Sequence, residues 1–261
     1  MTKNKSPDDD VLNVKSVGKA FDVLECFRQT SLSESELSLM DIARLTGFDK
    51  STTQRFVHSL LMAGYLSKNE SNRRYSLSLK VLDLAYHFLS NNSFVELANP
   101  YLIELCRVTE CRVSLSLIDD IDMVYAIRHQ VRPDYYSSSL LGKRLPIYCS
   151  SGGRSVLAHL SEEQRRDILS RSTLQAFTNK TQINVQDILY EVELAKEKGY
   201  ARTVEQVMYG EVGLGAAILD RNGVPVAAIH LIGNLAEWEP DAFEARFAST
   251  LLETVQRISR R

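Results

Sequence analysis

The stretch from Ser38 to Tyr65, SLMDIARLTGFDKSTTQRFVHSLLMAGY, constrains this chain more than any other. It reads as two short helices around a glycine turn. Ser38 followed three residues later by Asp41 has the spacing of a capping-box start. Leu39, Ile42 and Ala43 give the first helix an apolar face, and Gly47 ends it because glycine enters the left-handed region cheaply. Asp49 then caps a second helix, in which Thr53 (through its methyl), Phe56, Val57 and Leu60 recur at i, i+3, i+4 and i+7. At about 100° per residue, this stripe puts Ser51, Arg55 and His58 on the opposite face, flanked by Thr52 and Gln54. Any solvated helical hairpin shares that period. A cationic outer face without carboxylates, rich in groups that bond phosphates or base edges, points to a helix-turn-helix DNA reader.

The next segment strengthens that reading. Tyr65–Lys68 and Arg73–Leu77 alternate like strands around the turn-rich Asn69-Glu70-Ser71-Asn72, which makes a basic-tipped hairpin, or wing. Residues 50–80 hold six Lys or Arg (Lys50, Arg55, Lys68, Arg73, Arg74, Lys80) and one acid, Glu70, a local charge of +5 in a chain of net −2. A local excess of cations is what counterion release from DNA requires.

At 261 residues, with 44% hydrophobic and 25% charged side chains, the chain suits two ordinary globular domains. No apolar run reaches the ~18 residues of a membrane span, and MTKNKSPDDD lacks the apolar core of a signal peptide. Residues 1–12 read as a disordered lead-in. Cys26, Cys106, Cys111 and Cys149 form no CxxC pair and have no histidine cluster beside them, which fits reduced thiols in the cytoplasm. No metal-ligand spacing or phosphate loop occurs, so no metal and no cofactor is expected.

A helix over Lys15–Arg28, with Val17, Phe21, Leu24 and Phe27 on one stripe, should pack beneath the reader as a third core helix. Residues 30–37 read as a Ser/Glu-rich loop. A linker helix falls within 78–93; its wide apolar arc suits either a second copy of the chain or its own domain. Ser90-Asn91-Asn92-Ser93 is the candidate linker. Residues 94–261 change texture: a helix over Phe94–Glu110, strands at Val113–Ile118, Met123–His129 and Tyr135–Leu140, and helices at Ser151–Leu160, Ser161–Arg171 and Asp187–Lys198. A hairpin over Val212–Leu219 and Pro225–Ile232 turns at Asn222-Gly223, and a closing helix spans Asp241–Ile258. Helices around a largely antiparallel sheet make an α+β domain.

Within it, Tyr148-Cys149-Ser150-Ser151-Gly152-Gly153-Arg154 delivers small residues to a helix start. Free N–H groups there favour an anion such as a carboxylate, although the same residues also suit a plain turn and cap. Glu205 is either a ligand acceptor or a surface acid, and His230 either a ligand or a satisfied core histidine. Cys149 with His159 lacks the remaining parts of an acyl-transfer site.

Taken together, Val17–Leu24, SLMDIARLTGFDKSTTQRFVHSLLMAGYL, RRYSL, GKRLP, SSGGRSVLAHL, EKGYARTVEQ and AAILDRNGVPVAAIHLIG resemble the IclR-type transcriptional regulators, in the family's order, from about Asn13 to the C-terminus. The resemblance implies a winged helix-turn-helix over 13–77, a linker helix over 78–93 and a GAF-like effector-binding domain over 94–261. It also implies dimers or tetramers on palindromic operators near catabolic genes. The chain departs from the family at Gly152-Gly153-Arg154-Ser155, where Ala-Gly-Lys-Ala is usual, at Ala217, usually proline, and at Gly213, usually Ser or Cys. The metal site of some relatives is therefore not carried over.

The expected protein is a sequence-specific regulator of double-stranded DNA, not an enzyme. Lys50, Ser51, Thr52, Gln54, Arg55 and His58 read the groove, while Lys68, Arg73 and Arg74 hold phosphate. A small organic acid, aromatic or another carbon-source catabolite, would contact Tyr148, Ser150, Ser151, Gly152, Gly153, Arg154, Glu205 and His230. Two competing readings are a constitutive DNA-binding protein with an assembly-only second domain and a small-molecule enzyme with an appended helical domain.

Overall fold

The computed structural model describes residues 13–29, 35–131 and 141–259. The expected lead-in and the strand at Tyr135–Leu140 lie outside them. The chain divides into two compact units at Asn91/Asn92.

The first unit holds α1 (Lys15–Glu25) with a 3-10 turn over Cys26–Gln29, α2 (Leu39–Thr46), α3 (Lys50–Met62), β1 (Leu66–Lys68), β2 (Tyr75–Leu77) and α4 (Lys80–Ser90). Ser38 and Asp41 form the capping box of α2, and Gly47 ends that helix at φ 72°. The core gathers Val23, Phe27, Leu37, Ile42, Val57 and Leu60. The expected stripe on α1 is rotated. Val17 and Phe21 are 52% and 60% exposed, whereas Ala20, Val23, Leu24 and Phe27 face the core. Both sets have helical spacing, and contact with α2 and α3 selects the second.

Leu37 is more than loop. It is buried and pairs with Tyr75, which extends the β1–β2 hairpin by one bridge. On α4 no residue is buried, so its apolar arc is not covered by its own domain. Its exposed residues include Leu82, Leu84, Tyr86 and Phe88. The expected polar linker contracts to a cap-to-cap joint: Asn91 closes α4, and the Asn92 side chain accepts from Val95 N–H to start the next helix.

The second unit comprises α5 (Ser93–Thr109), β3 (Arg112–Asp119), β4 (Asp122–His129), β5 (Arg144–Pro146), α6 (Ser151–Ala158), α7 (Glu162–Arg171), α8 (Val185–Lys198), β6 (Ala201–Val204), β7 (Glu211–Leu219), β8 (Pro225–Asn234) and α9 (Pro240–Ser259). The strands form one antiparallel sheet in the order β5-β4-β3-β8-β7-β6. Gly215 of β7 abuts the start of α6, and Gly233 of β8 abuts Phe243 of α9. The register pairs Gly213 with Ile232 and Val212 with Gly233, so these glycines point to opposite faces, with α6 on one and α9 on the other. The strand β6, not foreseen, is a short edge piece following Gly199, which ends α8 at φ 80°.

Candidate functional site

The outward face of α3 follows from its two constraints, a cap at one end and an apolar stripe along one side. Thr53, Val57 and Leu60 are buried, while Lys50, Ser51, Gln54, Arg55 and His58 are exposed. Thirteen residues make a rod of about 20 Å, and the B-DNA major groove is about 12 Å wide, enough to admit a helix. Thr52 stands apart. Its Oγ1 donates to Asp49 Oδ2 at 2.6 Å and its N–H donates to Oδ1 at 2.9 Å. Those bonds hold the Asp49 carboxyl below its usual range. The Thr52 hydroxyl therefore secures the helix start and is not free for a base edge.

The wing's cations also differ among themselves. Lys68 Nζ lies 3.3 Å from Glu70. Arg74 Nη2 reaches Asp41 on α2 at 3.3 Å, and its Nε donates to the Glu36 carbonyl at 3.3 Å. Glu36 in turn accepts from Asn69 and Asn72 at the hairpin tip. Arg74 is thus a brace of the wing and not the open phosphate clamp expected of it. Arg73 is exposed, sits at φ 56°, and has no ion pair among the described residues.

At the start of α6 the structure overturns the expected open nest. Every residue of the helix is buried. Gly152 N–H donates to His230 Nδ1 at 3.3 Å, and Gly153 N–H donates to Ser150 Oγ at 3.1 Å. An amide only donates, so Nδ1 is the acceptor and Nε2 carries the hydrogen, donating to Ser116 Oγ at 2.7 Å. Burial lowers the His230 pKa to about 4, so the ring is neutral. A Cβ on Gly152 would lie 2.4 Å from that ring, and one on Gly153 would lie 2.1 Å from the Ile147 carbonyl oxygen. The glycines serve close packing of helix, loop and sheet; they do not leave room for a guest.

The other residues expected there are equally committed. Arg154 is buried; its Nε donates to the Tyr148 carbonyl at 2.8 Å and its Nη2 to Gln206 Oε1 at 2.9 Å. Tyr148 Oη donates to the Gln175 carbonyl at 2.7 Å and accepts from Gln175 N–H at 2.9 Å. Glu205, at φ 51°, accepts from Gly210 N–H at 2.8 Å and closes the loop before β7. The structure brings Ser151, Gly152 and His230 together, but as a filled junction.

An open cavity of about 350 Å³ lies elsewhere, where α5 ends and the ends of β3, β4, β7 and β8 meet. Arg112, Gln130, Glu211 and Trp238 line it, and Arg112 is ion-paired with Glu211. Sequence reasoning missed these residues. They come from four separate segments, and no local motif joins them. Among the described residues, no group of His, Cys, Asp or Glu could hold a metal ion, and no helix is long and apolar enough to cross a membrane.

A capped reading helix with an exposed cationic face, a braced wing, and a separate α+β domain define a winged helix-turn-helix transcriptional regulator. The chain belongs to the IclR family of bacterial transcriptional regulators. Residues 16–70 match the IclR helix-turn-helix domain, and residues 86–260 match the bacterial transcriptional regulator IclR C-terminal domain. It is similar to the regulator XynR of Escherichia coli, 25% identical over 95% of this chain and 96% of that protein. It is also similar to the Pca regulon regulatory protein of Pseudomonas putida, 25% identical over 91% and 80%. A crystal structure of a putative transcriptional regulator from Rhodococcus sp. RHA1 superposes with a TM-score of 0.79 at 25% identity, covering 95% of this chain and 98% of that one. The Thermotoga maritima IclR structure gives 0.70 at 24% identity, with the same coverage. The family and these relatives are transcriptional regulators, and this chain is a regulator, not an enzyme.

Proposed function

We propose that this regulator binds an inverted-repeat operator in the cytoplasm as a homodimer or higher oligomer, and that a small organic molecule bound in the second unit modulates that binding. The exposed polar face of α3 carries the reading. Arg55 and Gln54 have the geometry to reach base edges, with Lys50, Ser51 and His58 beside them. Arg73 and Lys68 supply phosphate contacts that position the helix. The uncovered apolar side of α4 supports self-association, because a contiguous exposed apolar face marks an interaction surface. Catabolic genes are the targets that the family resemblance implies. The acid expected at the start of α6 has no free Gly152 or Gly153 amide to bind.

Selection from random duplex DNA tests the reading. An enriched inverted repeat whose affinity falls with salt and is lost in Arg55→Ala supports it. Enrichment without symmetry, insensitive to Arg55→Ala, would sink it.

A further inference from the structure

The tip of the wing is held from outside the hairpin. Glu36 lies just before Leu37, whose N–H and carbonyl pair with Tyr75 at 2.8 Å each. The Glu36 carboxylate accepts from two amides at once, Asn69 Nδ2 at 3.0 Å on Oε1 and Asn72 Nδ2 at 2.7 Å on Oε2. Neither amide can be turned round. Asn69 Oδ1 accepts from the Ser71 N–H at 3.0 Å and Asn72 Oδ1 from the Arg74 N–H at 2.9 Å, and a backbone N–H only donates. Each asparagine therefore shapes the turn with its oxygen and ties it to Glu36 with its nitrogen. The Asn69 and Asn72 amides, with the Arg74 guanidinium, hold the Glu36 carboxyl below its ordinary range, so it is ionised at neutral pH.

Arg73 follows the second tether directly. It sits in the left-handed region at φ 56°, with its N–H donating to the Asn69 carbonyl at 2.7 Å and its side chain exposed. A residue other than glycine holds that conformation where its surroundings over-determine it. An acid in a wing that meets DNA also repels the phosphates, so Glu36 carries an electrostatic cost there. We infer that Glu36 is the positioning residue of the wing: it fixes the hairpin tip through Asn69 and Asn72 and so sets the direction in which Arg73 meets the DNA backbone. The inference rests on the phosphate-contact reading of Arg73 and deepens it.

Glu36→Gln separates position from charge, because the two predict opposite signs. Glutamine keeps the length and one acceptor but sets an NH2 against an asparagine NH2, so one tether is lost while a negative charge disappears. Full-length protein would be titrated with mixed-sequence duplex DNA over a range of salt concentrations. Binding should weaken about five-fold in Glu36→Gln, with a smaller log–log salt slope. In an Arg73→Ala background the same substitution should cost much less, because the two residues act as one unit. Unchanged or tighter binding by Glu36→Gln overturns the inference, since charge alone then decides. A loss of equal size with and without Arg73 overturns it too, whatever the melting temperature does, because a general weakening of the fold does not depend on Arg73. Arg73→Ala with unaltered binding and slope defeats the phosphate reading and this one together. Weaker binding by Arg73→Ala beside an unaffected Glu36→Gln defeats this one alone.

Discussion

Helices α3 and α6 begin alike and end up opposite. Each starts at a polar cap, Asp49 or Ser150, and each carries small residues in its first turn together with a cation, Lys50 or Arg154. In α3 one side is buried and the other faces solvent, because its apolar residues keep a single stripe. In α6 nothing faces solvent: Gly152, Gly153 and Ser155 are small enough for the loop before the helix, β7 and β8 to close in from all sides. A polar helix start is a binding site only when the rest of the fold leaves its N–H groups unclaimed.

The largest test of that contrast is steric. A Cβ on Gly215 would lie 2.2 Å from the Ser151 backbone carbon and 2.3 Å from the Gly152 nitrogen. Neither backbone atom can rotate away. Gly215→Ala should therefore lose about 3 kcal/mol of stability in urea unfolding. A parental midpoint would mean that the junction is loose enough to admit a ligand after all.

Acid provides the second test. His230 is neutral when folded, with its pKa lowered to about 4 from the ordinary 6.5. Between those values the unfolded chain takes up a proton that the native state refuses. Stability is full above about pH 6.5 and declines as pH falls toward 4, by up to about 3 kcal/mol. His230→Gln should flatten that part of the stability profile. An unchanged slope in the variant would place the acid sensitivity elsewhere.

On α3 the expected effects are smaller and fall on binding. Arg55→Ala should lose about 1–3 kcal/mol of base discrimination and leave the melting temperature unaltered, because Arg55 contributes nothing to the core. A lower melting temperature would show that Arg55 is structural, as Arg154 is.

The smallest pair separates the neighbours in the wing. Arg73→Ala should weaken binding to all sequences alike and reduce the log–log salt slope by about 1. Arg74→Ala breaks the Asp41 contact and should cost under about 1 kcal/mol of stability, and it should affect DNA only through a looser wing. Identical salt slopes for the two variants would erase the distinction.

Local chemistry determined a good deal of this molecule. The Ser38/Asp41 box, the Gly47 and Gly199 stops, the buried stripe of α3 and the turn at Asn222-Gly223 depend on residues within a few positions of one another, and each can be read from spacing alone. Tertiary structure decided which of two helical stripes α1 buries, that Leu37 joins the wing, and that Arg74 is a brace. It also decided that His230, 78 residues from Gly152, takes the amide a ligand was expected to use. The cavity beside Trp238 belongs to the same class, since its walls come from strand ends that only the sheet brings together. The physical reason is common to all of these. A periodic pattern shows which groups a helix or strand can offer, but whether an N–H, a carboxylate or an apolar face remains available depends on what packs against it from far along the chain.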